Sequence, residues 1–139
     1  MNYKKINLQL KNENLIDEKG LLCHSYKSYT STSNKVIYME MTRIGNDKKM
    51  PSFMLLSIND DKLNISYAGG FGGFKKYYAS FKLSNLEYED KFTADRIVDI
   101  YKFNVLNDQS EKLGDFFIIA IKHKEDAKKL VEAIIDYNK

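Results

Sequence analysis

The chain holds one cysteine, Cys23, and one proline, Pro51. A single thiol forms no intramolecular disulfide and no cysteine-based metal site, which suits a reducing compartment. With only seven glycines in 139 residues there is no room for a long flexible linker, so one domain is the economical reading. Arginine is scarce as well: of 22 basic residues only Arg43 and Arg96 are arginine. A dedicated nucleic-acid binder usually clusters arginine with lysine, because neutralising phosphates supplies most of its affinity and lysine does not reproduce the bidentate fork. Nucleic acid is therefore not expected as the main partner. Long apolar runs are missing too. Ile6, Leu8 and Leu10 near the start are separated by polar residues, unlike a signal peptide, and nowhere is there the ~18-residue apolar stretch of a spanning helix. The expected location is the cytoplasm.

What is present places the chain in the globular class: 43% apolar and 29% charged residues, enough to bury a core. The formal net charge of +3 permits a loose attraction to anionic surfaces without demanding one. No repeat, low-complexity tract or block of like charge interrupts the pattern.

Residues 1–19 fit two patterns equally: Ile6, Leu8 and Leu10 alternate as in a strand, while Leu8, Leu15 and Ile16 suit one face of a helix. From Gly20 onward strands dominate. Gly20 to Thr30 reads as the first, followed by a Ser31-Thr32-Ser33-Asn34 turn and a second strand over Lys35 to Arg43. Ile44 to Ser52 reads as a loop. Phe53 to Ile58 and Leu63 to Tyr67 flank the tight polar turn Asn59-Asp60-Asp61-Lys62, a strong hairpin signal. Tyr77 to Tyr88, Ile97 to Leu106 and Asp115 to Lys122 complete the strands. The period then changes: Ala127, Leu130, Val131, Ile134 and Ile135 share one helical face, with Glu125 and Asp126 in a first turn where the helix dipole favours negative charge.

The chemistry of catalysis is sparse. His24 adjoins Cys23, but neighbours on a strand point to opposite faces, so a dyad would need His123 instead; Cys23 beside leucines suits packing. His123 stands where a helix begins. Asn59-Asp60-Asp61 lacks the spacing of a calcium loop, and no His or Cys pair has metal-ligand spacing. Glu87 and Glu89 lie two apart on one strand face, which suits a solvated sheet surface or, in a pocket, a shared proton. No catalytic residue, metal or cofactor is expected, and the chain does not read as an enzyme.

Gly69-Gly70-Phe71-Gly72-Gly73-Phe74-Lys75-Lys76 lacks the Gly-Lys-Ser/Thr ending of a phosphate loop. Glycines between strands permit positive φ in a hairpin or bulge. Phe71 and Phe74 either fold back onto the core or, beside Lys75 and Lys76, form a tip that inserts into a lipid interface. Tyrosine is abundant in the strand segments, where it supports either ordinary packing or a base-stacking face.

Phe53 to Ile65 as a hairpin, Phe81 to Tyr88 as a change of direction, and Phe116 to Ile121 leading into Glu125 to Ile135 as last strand and closing helix carry a family pattern. The order resembles the pleckstrin-homology-like superfold, with its GRAM-type and bacterial PH-type members, over roughly residues 20 to 138. The resemblance implies a mainly β fold: a seven-stranded antiparallel PH-like barrel or sandwich capped by a C-terminal amphipathic α-helix. Residues 1–19 are then an N-terminal extension and 20–139 a single PH-like domain. It also implies a head-group site at Lys27, Lys35 and Arg43, although Val36 and Ile37 follow Lys35 where lipid-binding members carry two basic residues spaced one apart. Other members bind peptides or partner domains. The expected function is thus a non-enzymatic binding or adaptor module that engages a protein partner or, weakly, an anionic membrane surface. That places the protein in the cytoplasm, with a peripheral position at the inner membrane face in the second case. Candidate ligand-binding residues are Lys27, Lys35, Arg43, Phe71, Phe74, Lys75 and Lys76. The alternative is a small-ligand or single-stranded nucleic-acid binder that uses the tyrosine-rich sheet face.

Overall fold

A short apolar run over Phe53 to Ile58, a two-residue turn at Asp60-Asp61 and the alternating Leu63, Ile65 and Tyr67 build the central hairpin, and the rest of the chain is arranged on its two faces. The computed structural model describes residues 3–33, 35–38 and 50–139. Helix α1 (Tyr3–Asn12) precedes strands β1 (Leu22–Tyr26), β2 (Ser28–Thr30), β3 (Val36–Tyr38), β4 (Phe53–Asn59), β5 (Lys62–Ala68) and β6 (Phe74–Lys82). A short 3-10 turn (Leu83–Asn85) leads to β7 (Leu86–Ala94), β8 (Val98–Leu106), β9 (Lys112–Ala120) and helix α2 (Lys124–Tyr137). The fold is mainly β: an antiparallel sheet in the order β1-β4-β5-β6, a second in the order β7-β8-β9, a ribbon β2-β3, and the C-terminal helix.

The core lies between the two sheets. Cys23, Met54, Leu56, Leu63, Ile65 and Phe81 of the first sheet meet Tyr101, Phe103, Phe116 and Ile118 of the second, and α2 closes the end with Ala127, Leu130, Val131 and Ile134. Asp126 donates its backbone N–H to His123 O (3.1 Å), and His123 adopts a left-handed conformation (φ 53) before the first turn. Asn138 Nδ2 donates to Leu83 O, Leu86 O and Ile134 O at 2.9, 3.0 and 3.1 Å, which ties the end of α2 to the corner where the chain changes sheets.

Several expectations are corrected. Of the barrel or sandwich expected, the described residues form two packed antiparallel sheets that do not close into a barrel. Residues 3–12 form a helix whose Ile6 and Leu10 pack with Leu15, Ile16, Leu22 and Leu55 on the outer face of the four-stranded sheet. The segment Gly20 to Thr30 divides into β1 and β2 at Lys27, whose N–H donates to Ser52 O (2.9 Å). Tyr77 to Tyr88 is not one strand: Leu83 N–H donates to Asp61 O (2.8 Å), and the chain crosses to the other sheet there. Of the strand expected over Lys35 to Arg43, Val36–Tyr38 is seen as β3; Arg43 and most of the following loop lie outside the described residues.

Candidate functional site

Ala68 pairs with Phe74, and the five residues between them form the Gly-Phe loop. Gly69 N–H donates to Gly73 O (2.8 Å) and Gly72 N–H to Gly69 O (2.9 Å), so the loop is closed by its own backbone. Gly72 sits at φ 87, which a side chain would strain. The two phenylalanines part company. Phe71 at the tip is 100% exposed. Phe74 turns back against the cluster beneath α1, and its N–H donates to Gln9 Oε1 (3.1 Å). Lys75 and Lys76 are exposed on the returning strand; Lys75 occupies a register shift, and Lys76 Nζ lies 4.8 Å from the centre of the Tyr67 ring.

The base of this loop is held from across the sheet. His24, buried on β1, donates its Nε2–H to Gly72 O at 2.7 Å. A carbonyl only accepts, so that bond fixes the tautomer and leaves Nδ1 to accept the Tyr3 hydroxyl proton at 3.3 Å. The imidazole is stacked between Phe53 (5.0 Å between ring centres) and Tyr3 (5.7 Å), and Tyr3 meets His123 edge-on at 5.2 Å. Burial lowers the His24 pKa below its ordinary 6.5; the Gly72 hydrogen bond opposes that shift and His123 adds to it. Burial likewise pushes the Tyr3 hydroxyl up, with the Asp126 carboxylate and then Cys23 adding to it.

Lys27, beside Tyr26, leads out of β1 at the sheet end that also carries the Gly-Phe loop, since Tyr26 pairs with Phe53 and Met54 with Tyr67. With β4 and β5 between β1 and β6, Lys27 stands about 14 Å across the sheet from the loop strand. Lys35 is elsewhere: it is exposed in the β2–β3 connection, where Thr32 N–H and Oγ1 donate to Asp95 at 3.1 and 2.8 Å and Tyr29 hydrogen-bonds the same carboxylate. Lys27, Lys75 and Lys76 therefore share a sheet end, and Lys35 belongs to a different hairpin.

The remaining polar candidates are structurally committed. Cys23 points into the core, where burial and the nearby Asp126 carboxylate push its thiol pKa up, away from a nucleophilic thiolate. Glu87 accepts from Asn104 Nδ2 (3.0 Å) and Glu89 pairs with Lys102 (2.6 Å), which holds the Glu89 carboxyl below its ordinary range. Of the strand tyrosines, Tyr78 and Tyr101 are buried, whereas Tyr77 and Tyr88 are exposed on different sheets. Among the described residues no group of three His, Cys, Asp or Glu side chains is placed to hold a metal ion, and no helix is long and apolar enough to cross a membrane.

Of the residues that shape the loop from outside, Tyr3 and Gln9 are absent from the sequence-derived candidates, and His24 stands there only as a neighbour of Cys23. Gly72 is 48 positions from His24, His24 is 21 from Tyr3, and Phe74 is 65 from Gln9. No local spacing encodes those contacts: the first joins β1 to the loop, and the other two exist only once α1 lies across the sheet. Comparison of the chain with protein-family models, with curated proteins and with solved structures finds no match.

Proposed function

We propose that the chain is a non-enzymatic, pleckstrin-homology-like binding module that associates peripherally with an anionic membrane surface through the tip of its Gly-Phe hairpin. The observation that carries this reading is Phe71, wholly exposed between glycines with Lys75 and Lys76 on the strand that returns from it. A large aromatic in water is costly, and its position at a tip suits insertion between lipid head groups. About 1 kcal/mol per lysine at an anionic surface and about 2 kcal/mol for one buried phenylalanine give roughly 4 kcal/mol, a thousandfold partition at most. Binding of that size is reversible and salt-dependent. The other exposed large apolar side chains are spread over α1, β6, β7, β9, α2 and the β7–β8 turn, so they offer less support for a protein partner.

Co-sedimentation with vesicles of phosphatidylcholine alone or mixed with phosphatidylserine, at low and physiological salt, tests the reading. Expected is binding to the anionic vesicles only, weakened by salt, lowered about tenfold or more in Phe71→Ala and abolished in Lys75→Glu/Lys76→Glu. Absence of binding to either vesicle would overturn the membrane reading and make a protein partner the target of the same hairpin.

A further inference from the structure

Away from the hairpin tip, a cleft of about 380 Å³ opens on the outer face of the four-stranded sheet, between the end of α1 and strands β4 to β6. Its existence follows from how α1 stops. Asn14 is left-handed (φ 57), Asn14 N–H donates to Lys11 O (3.1 Å) and Leu15 N–H to Leu10 O (2.9 Å), the paired bonds of a Schellman ending. The chain then runs over the sheet, where Leu15 O accepts from Ser57 Oγ (2.7 Å) and from Asn64 Nδ2 (3.0 Å). Asn59 Nδ2 donates to Asn14 O (2.8 Å).

These bonds orient the side chains of Asn59, Asn64, Tyr77 and Ser80 in the cleft wall. With its Nδ2 on a carbonyl, Asn64 presents Oδ1 to Ser80, whose hydroxyl donates to it at 2.6 Å. The single Ser80 proton is thereby used, so Tyr77, 2.6 Å away, is the donor to Ser80. The Ser80 and Tyr77 protons and one N–H each of Asn64 and Asn59 are thereby used within the protein. What remains for a ligand includes acceptors, the Tyr77 lone pairs, Asn59 Oδ1 and the Glu13 carboxylate, and the side-chain amides of Asn14 and Asn59, which still offer N–H groups. The Lys62 ammonium adds a charged donor beside them. Neither Glu13 nor Lys62 is held in an ion pair among the described residues.

Such a rim selects by exclusion. An anion meets the Glu13 carboxylate, and a compact cation meets the Lys62 ammonium. A ligand that carries several hydroxyls satisfies both kinds of group, because each hydroxyl donates to an acceptor and can accept from Lys62. The Tyr77 ring, in the cleft wall of a residue 49% exposed, adds a flat apolar surface for the C–H face of a ring. The cleft volume falls within the ~300–1,000 Å³ of small-molecule sites. We propose that this cleft binds the ring of a neutral saccharide.

Saturation-transfer NMR on the full chain tests this, with the methyl glycosides of glucose, galactose, mannose and N-acetylglucosamine as probes and N-acetyl-arginine amide and inorganic phosphate beside them. Transfer to the ring protons of at least one glycoside is expected. Tyr77→Ala should abolish it, and Glu13→Gln and Lys62→Ala should each weaken it about fivefold. Both Glu13 and Lys62 are exposed and neither is held in an ion pair among the described residues, so those two variants keep the fold if Tyr77→Ala does not. Phe71→Ala should bind the glycoside as well as the wild type, which separates this site from the hairpin tip. No transfer to any glycoside, transfer undiminished in Glu13→Gln and Lys62→Ala, or binding of the charged probes alone would each overturn the proposal.

Discussion

His24 is neutral in the fold because both ring nitrogens are committed in opposite senses, Nε2–H to the Gly72 carbonyl and Nδ1 to the Tyr3 hydroxyl. A second proton would convert Nδ1 from acceptor to donor and turn the Tyr3 hydroxyl proton away. The groups facing the ring are Tyr3, Phe53, the Gly72 carbonyl and, through Tyr3, His123. The folded-state pKa of His24 lies below the ordinary 6.5, so between those two values the unfolded chain holds a proton that the folded chain does not. Stability therefore rises with pH across that window and is lost as pH falls through it. Thermal unfolding at pH 7.5 and 5.5 should show a larger drop in Tm for the wild type than for His24→Gln, which keeps a donor for Gly72 but does not titrate. An equal drop in both would mean that His24 contributes nothing to the acid sensitivity. The composition displays His24 openly, but its role depends on residues far away in sequence, and for that reason the sequence offers it only as a neighbour of Cys23.

At the scale of elements, how legible each one is depends on how many of its own residues carry its pattern. α2 repeats its apolar positions over two turns and reads as a helix unaided; the β4–β5 hairpin is equally self-evident, because its apolar first strand, its turn residues and its alternating second strand are contiguous. α1 has one buried pair at i, i+4, Ile6 and Leu10, no acidic residue in its first turn, and a misleading Leu8 that is 57% exposed. Its remaining apolar contacts, Leu15 and Ile16, follow the helix stop and belong to a different segment. The Gly-Phe loop was legible as a glycine-permitted hairpin, yet which phenylalanine turns inward is decided by Gln9 and the α1 cluster. The stop itself supplies a test. A left-handed C′ position favours glycine and tolerates asparagine, so Asn14→Ala should cost about 1 kcal/mol in urea unfolding and Asn14→Gly should cost little or nothing. Equal losses in the two variants would show that the Asn14 side chain, rather than its backbone conformation, ends the helix.

For the whole molecule, the four-stranded sheet separates two apolar layers of unequal size. On its inner side lies the cluster shared with the second sheet and α2; on its outer side lies the smaller cluster that α1 covers. Lifting α1 exposes Ile6, Leu10 and the residues they cover, about 5 kcal/mol of burial at roughly 1.5–3 kcal/mol per side chain. Lifting α2 uncovers four apolar side chains and opens the space between both sheets, and Asn138 anchors that helix to the sheet corner besides. Opening of α2 thus approaches global unfolding, whereas α1 can open alone, within a total stability of about 5–15 kcal/mol. The Gly-Phe hairpin should follow α1, because Gln9 holds the Phe74 amide and Tyr3 is bonded to His24, which grips Gly72. Native-state hydrogen exchange should then show the amides of α1 and of Phe74 exchanging together, faster than those of α2 and β8. If α1 instead exchanges at the rate of α2, the two layers form one cooperative unit and the hairpin tip is as rigid as the core. Exchange of Phe74 ahead of α1 would place the loosening in the glycines themselves, independent of the helix that lies over them.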